Sequence, residues 1–144
     1  MVSGRSEAAM KRAALMGDGW MPYLYSARRY AESVRKVKEF AAAAGRSLDN
    51  FEWMAYLFTA IEADTDVALG KAAEFLGGSY QQDFKQFVDR VAVAGTVERV
   101  TQRLQEFVDA GMRHPIFLVA DRERPIEKAA LIVNEIIPRL RIPE

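Results

Sequence analysis

The residues best placed to do chemistry in this 144-residue chain come at its start: Gly4-Arg5-Ser6, followed at once by the alanine-rich run Glu7 to Met16. A glycine turn opening into a helix presents unpaired backbone N–H groups and the positive end of the helix dipole, which suits a phosphate. Arg5 adds a guanidinium and Ser6 a hydroxyl donor. The alternative needs no ligand: Gly4 turns the chain and Ser6 caps the helix. Elsewhere the candidates are fewer. His114 is the only histidine and the one obvious acid–base side chain. Asp18 lies in Gly17-Asp18-Gly19, Tyr23 and Tyr25 flank Leu24, and Arg122-Glu123-Arg124 make a charged loop. The chain has no cysteine, which excludes disulfides and thiolate metal sites, and one histidine cannot build a His-rich zinc motif. No metal site is expected.

Composition narrows the partners. Lys and Arg number 20 and Asp and Glu 20, so the chain lacks the basic excess of a nucleic-acid binder. Half the residues are hydrophobic, enough for an ordered core and one domain over residues 1–144. No apolar run approaches the ~20 residues of a membrane span. The opening Met-Val-Ser-Gly-Arg-Ser-Glu lacks a hydrophobic signal region, so a cytoplasmic location is expected. Zero net charge also removes one deterrent to self-association.

The elements that must position these residues follow from periodicity. Ser6 caps a first helix with Ala9, Met10, Ala13 and Ala14 inward, ended by Gly17 at C′. Trp20 to Tyr25 reads as a short aromatic strand leading into a loop. Ser26 caps a long helix with Tyr30, Val34, Val37 and Ala41 in one stripe, closed by Gly45 near Ala44. Phe51 to Ile61 is nearly continuous in apolar character, as a strand buried on both faces must be. Asp64 or Thr65 caps the next helix, which Gly77-Gly78 ends, and Gln81 to Val91 reads as a further helix. Gly95-Thr96 opens an amphipathic helix with Val97, Val100, Leu104, Phe107 and Val108 inward, ended by Gly111. Ile116 to Ala120 is a second continuous strand. Pro125 starts the last helix, with Ile126, Ala129, Val133, Ile136 and Leu140 inward.

Buried strands alternating with amphipathic helices imply an α/β fold with parallel strands and right-handed crossovers. The count is three strands plus a remnant at Val2-Ser3-Gly4, too few for a closed barrel. A small open layer or half of a (β/α) barrel fits.

Three stretches together carry a family resemblance. The first is Ser3-Gly4-Arg5-Ser6, the alanine-rich helix, and Gly17-Asp18-Gly19-Trp20. The second is Ala94-Gly95-Thr96-Val97-Glu98-Arg99-Val100, with Asp109-Ala110-Gly111 before the last strand. The third is Ile136-Ile137-Pro138-Arg139-Leu140-Arg141. In this order they resemble the C-terminal half of luciferase-like monooxygenases, where a strand ending in Gly-Gly precedes an alanine-rich helix and Gly-Asp-Gly-Trp. Val97 stands where that family commonly has proline, and either residue can start a helix. The resemblance implies a partial TIM-type (β/α)₈ barrel, three to four parallel strands with flanking helices. It implies an oxidoreductase or monooxygenase using reduced FMN or the deazaflavin coenzyme F-420 on a small organic substrate. It also puts Gly4, Arg5 and Ser6 beside the cofactor's phosphate or ring edge. The first four or so strand–helix units of such a barrel have no counterpart here. A second reading therefore stands beside the first: a non-catalytic, self-associating half-barrel without cofactor.

Barrel chemistry sits at the C-terminal ends of the strands. Gly4 to Ser6, Tyr23 to Ser26, Ala63 to Asp66 and Ala120 to Arg124 occupy that end. Asp18 and His114 precede their strands and fall at the opposite end, where they serve stability. Tyr23 and Tyr25 either line a pocket or pack in the core. The Arg122-Glu123-Arg124 loop reads as a solvated charge cluster. No residue is assigned as catalytic, because in flavin enzymes the cofactor carries the redox step. With half a barrel, one sheet face should meet nothing from the same chain, so a homodimer or larger homo-oligomer is expected.

Overall fold

A computed structural model describes residues 1–80 and 83–143. Five parallel strands form its sheet: β1 (Val2–Ser3), β2 (Gly19–Met21), β3 (Glu52–Ile61), β4 (Val93–Gly95) and β5 (His114–Val119). The helices between them are α1 (Glu7–Met16), α2 (Ala27–Ala43), α3 (Thr65–Tyr80), the single turn α4 (Val88–Val91), α5 (Val97–Asp109) and α6 (Pro125–Leu131). After α6 the chain continues through a wide π-type turn (Ile132–Ile136) and a tight 3-10 turn (Ile137–Arg139).

β3 is the hub, because it pairs with β2, β4 and β5. Backbone groups of a strand point alternately to its two edges. The N–H groups of Glu52 and Tyr56 donate to Asp18 and Pro22 on the β2 side, and that of Glu62 donates to Gly95 after β4. All three are even-numbered. Odd-numbered Trp53 and Thr59 accept instead from Arg113 and Ala120 at the two ends of β5. Short β2 and β4 therefore share one edge of β3, end to end, and β5 takes the other. The sheet is four strands across: β1, then β2 with β4, then β3, then β5. The half-barrel architecture expected from the sequence is what the chain forms.

The convex face packs on α1, α2, α5 and the last helix, with Trp20, Tyr30, Leu57, Leu104, Phe107 and Ile136 fully or almost fully buried. Ser6, Ser26 and Thr96 cap their helices as expected, each hydroxyl accepting a backbone N–H three residues on. Asp64 caps α3 by accepting from Val67 N–H. Gly45 follows α2 at φ 66°, a left-handed position where glycine costs least.

Several expectations fail for identifiable reasons. β2 begins at Gly19 and ends at Met21, not Tyr25, although Tyr23 still bridges to Tyr56. The chain kinks at Leu24 (φ 52°), the one non-glycine residue with positive φ among those described. Gly77-Gly78 does not stop α3, which runs to Tyr80 because tertiary packing overrides weak propensity. Of the helix expected over Gln81 to Val91, Gln81 and Gln82 lie outside the described residues, and only Val88–Val91 is helical. β4 has no counterpart among the strands expected from the sequence, since three residues carry no period. The last helix buries Ile136 and packs Leu140 on the core as expected, but Lys128 and Ile132 are the other buried residues, whereas Ile126, Ala129 and Val133 are exposed. That helix carries two apolar stripes, and a charged partner for Lys128 selects between them.

The largest correction concerns the concave face. It is not bare, because Phe58, Ala60, Ala94 and Ala120 pack under α3 and under Phe84 and Val88, forming a second core. Only its lower part, with Met21, Met54, Tyr56, Ile116 and Leu118, stays half-buried.

Candidate functional site

Two corners form at the C-terminal ends of the strands. The first joins β1 and β2. Gly4 holds φ 135°, and a Cβ there would come within 2.8 Å of the Ala9 Cβ, so the turn has room for backbone alone. Its carbonyl accepts the Trp20 indole N–H at 3.0 Å, and the Arg5 carbonyl accepts the Tyr25 hydroxyl at 3.3 Å. Buried aromatic side chains thus fix the turn from below. Ser6 spends its hydroxyl on the cap, accepting Ala9 N–H at 3.2 Å. The first-turn N–H groups of Glu7 and Ala8 are left without a carbonyl acceptor, as geometry requires at a helix start. Glu7 puts a carboxylate in the same turn, but Lys36 of α2 engages it at 2.9 Å.

Above this turn is a cleft lined by Arg5, Tyr23, Leu24, Arg29, Tyr80, Phe84 and Phe87. Arg5 lies over the Tyr23 ring at 4.9 Å, and Arg29 lies over Tyr25 at 4.5 Å. Neither guanidinium has a carboxylate partner among the described residues. The kink at Leu24 separates the two tyrosines. Tyr23 stays beside the cleft, while Tyr25 turns into the convex core, where its hydroxyl receives a hydrogen bond from Ser33. Tyr80 forms one wall, and burial pushes its hydroxyl pKa upward, keeping it a neutral donor. The corner combines two cations, free N–H groups and aromatic walls, which suits a planar ligand bearing a phosphate or carboxylate. The close approach at Gly4 is to the Ala9 side chain of α1, so the glycine seats the helix start against the strand end, and the first-turn N–H groups of Glu7 and Ala8 are the donors left at this corner. Gly4, Arg5 and Ser6 all lie at this corner, with the Ser6 hydroxyl already engaged in its cap.

The second corner, between β3 and β5, was not legible in the sequence. Glu62 follows β3 and Asp121 follows β5, both at the strand ends. Lys71 of α3 reaches Glu62 at 2.7 Å and Asp121 at 3.2 Å, and Lys128 of α6 reaches Glu62 at 3.2 Å. Arg124 approaches Glu62 at 3.6 Å. Asp121 and Lys128 are 6% and 5% exposed, so this network is largely buried, whereas Arg122, Glu123 and Arg124 of the adjoining loop are exposed, as a solvated cluster would be. Asp121 also accepts the N–H groups of Arg124 and Glu123 at 2.8 and 2.9 Å. Those hydrogen bonds, led by Arg124, hold its pKa at about 2, against burial that pushes upward. Lys71 holds the Glu62 carboxyl below its usual range in the same way. The available signal was Lys128, a charge on what proves to be the inward face of a helix.

At the opposite sheet end, His114 meets Glu52 at 2.7 Å with both side chains about half exposed, and Asp18 is 92% exposed. Arg46, which the sequence did not single out, donates to the carbonyls of Ala13, Ala14 and Gly17 and closes the end of α1. Among the described residues no group of His, Asp and Glu side chains is arranged to hold a metal. No helix there is long and apolar enough to cross a membrane.

Comparison with known proteins bears on the fold. Solved structures of similar fold include an F420-dependent secondary alcohol dehydrogenase bound to an F420–acetone adduct (18% identity, TM-score 0.80, 96% of this chain and 48% of that one). Another is the coenzyme F420-dependent tetrahydromethanopterin reductase of Methanopyrus kandleri (21%, TM-score 0.69, 96% and 50%). A third is the oxygenating constituent of 3,6-diketocamphane monooxygenase from Pseudomonas putida in complex with FMN (16%, TM-score 0.72, 99% and 49%). This chain spans about half the length of each. A search of curated proteins found no match. The family model for luciferase-like monooxygenases matches residues 1–114, and the chain belongs to that family.

Proposed function

We propose that this chain is the cofactor-phosphate-binding half of a luciferase-like oxidoreductase, acting in the cytoplasm on a small organic substrate. The observation that carries the reading is the β1–β2 corner, where the Gly4 turn, the free N–H groups of Glu7 and Ala8, and Arg5 converge beside an aromatic cleft. These groups would hold the phosphate of FMN or of coenzyme F-420. The bound cofactor would supply hydride transfer or oxygen activation. Tyr23, Tyr80 and Phe84 would exclude water from the cleft, and Arg29 would meet an anionic group at its rim. Of the similar structures, two are F420-dependent enzymes and one is a complex with FMN, which is why the proposal names both cofactors. Adding FMN and F-420 separately to purified protein, with fluorescence as readout, tests the proposal. Saturable binding of one of them is expected, and no binding of either would overturn it.

A second reading, a self-associating half-barrel without cofactor, is favoured by the half-buried lower concave face. The two readings share one feature, a homodimer or larger homo-oligomer. They part on the same titration.

A further inference from the structure

We propose that Arg29 binds the substrate and that the substrate is a small monocarboxylate with a planar apolar body. The inference rests on the reading of the chain as part of a cofactor-dependent oxidoreductase, and it gives each arginine of the cleft a different ligand group. The separation starts in the backbone. In a regular strand, Tyr23 and Tyr25 would point to the same side. Leu24 breaks that alternation at φ 52°, a left-handed conformation that leucine adopts only at a cost. The two rings consequently enter different cores, Tyr23 the concave one and Tyr25 the convex one. Each ring carries one guanidinium, Arg5 over Tyr23 and Arg29 over Tyr25, and both arginines line the same cleft.

The support beneath Arg29 is fixed. Tyr25 is 3% exposed, its hydroxyl donates to the Arg5 carbonyl and accepts from Ser33, and its ring packs edge-on to Trp20 at 5.9 Å. A guanidinium held on a ring face keeps its planar fork of N–H donors for a carboxylate. Arg28 and Arg29 stand in the first turn of α2, which carries no acid. Cations there oppose the helix dipole, so the placement weakens the helix and favours an anion beside Arg29. The remaining wall is apolar: Tyr80, Phe84 and Phe87 follow one another with ring centres 5.8 and 5.1 Å apart. Among the described residues no acidic side chain lines the cleft, whose volume of about 340 Å³ is at the small end of ligand pockets. One fork and one run of rings match a single carboxylate on a flat body. The phosphate has more donors at the Gly4 turn, where the N–H groups of Glu7 and Ala8 join Arg5.

Calorimetric titration of benzoate into the full chain, with and without saturating FMN or F-420, tests the assignment. Saturable binding is expected, with benzamide, similar in shape but uncharged, at least about tenfold weaker. Arg29→Gln should weaken benzoate roughly tenfold and leave both benzamide and any preference for FMN over riboflavin unchanged. Arg29→Lys keeps the charge without the fork and should fall between. Arg35→Gln removes a charge from the same helix outside the cleft and should change nothing. Circular dichroism checks folding, and if Arg29→Gln is unfolded, Arg29→Lys decides. No benzoate binding, benzoate expelled by the cofactor, equal affinity for benzoate and benzamide, or an affinity indifferent to Arg29 would each overturn the proposal. So would loss of the FMN preference in folded Arg29→Gln, which would assign Arg29 to the phosphate. Cofactor binding is read separately: benzoate held through Arg29 by a chain that takes neither FMN nor F-420 would keep the carboxylate site and remove the oxidoreductase reading.

Discussion

The two corners at the C-terminal ends of the strands use similar residue types to opposite effect. At the β3–β5 corner every buried side-chain polar group has a partner: Lys71 and Lys128 converge on Glu62, and Asp121 accepts from two backbone N–H groups and from Lys71. At the β1–β2 corner Arg5 and Arg29 lie over tyrosine rings without carboxylates, beside helix N–H groups without acceptors. A saturated network holds structure in place, whereas unsatisfied donors around a cleft are available to a ligand. Perturbed titration by itself does not identify the binding corner here. The most perturbed carboxylate belongs to the structural corner.

The sharpest break in this comparison is Asp121→Ala. It removes the acceptor of two backbone N–H groups and leaves Lys71 partly unpaired, so a loss of about 3 kcal/mol is expected in denaturant melts. Asp121→Asn keeps the acceptor geometry and should lose less than half of that. The β3–β5 variants should leave cofactor affinity unchanged once folded. A large affinity loss in folded Asp121→Asn would merge the two corners into one site.

Gly4→Val with Ser6→Ala attacks the other corner. A Val Cβ would collide with the Ala9 Cβ and push the turn away from α1, and loss of a charge-assisted phosphate contact should cost about 1.5–3 kcal/mol of binding in the protein that remains folded by circular dichroism. Thr96→Ala, which removes an equivalent cap from α5, should lower stability by about 1 kcal/mol and leave binding alone.

Acid sensitivity separates the corners by pH. The Asp121 carboxyl titrates near pH 2 when folded, below its ordinary 3.8. Its contribution is fully present above about pH 4 and is lost as pH falls through 2, on the order of 2 kcal/mol. Glu62 shifts in the same direction and adds to the loss. Melts between pH 5 and pH 2 should show this fall in the wild type and much less of it in Asp121→Asn.

The smallest effects are expected at the far end of the sheet. Asp18→Asn and His114→Gln touch exposed side chains, so each should shift stability by within about 0.5 kcal/mol and leave cofactor affinity unchanged. A tenfold affinity loss in either variant would contradict the assignment of chemistry to the strand C-termini.

The legibility of the fold in the sequence tracks element length. β3 and the capped helices α2 and α5 were readable because ten or more residues repeat one pattern. β4 and α4, at three and four residues, exist through pairing and packing that no local pattern encodes. The Gly4 turn was visible because glycine, cap and helix are contiguous. The Glu62–Lys71–Asp121–Lys128 network was not, because Asp121 and Lys71 are 50 residues apart and meet only after the strands align.

The most direct test of the account compares FMN with riboflavin, which shares the ring but lacks the phosphate. If the Gly4–Ser6 turn and the first turn of α1 hold a flavin phosphate, FMN should bind at least about tenfold more tightly. Gly4→Val with Ser6→Ala should abolish that difference while the protein stays folded. Equal affinity for the two in the wild type, or a preference for FMN that survives in the variant, would contradict it.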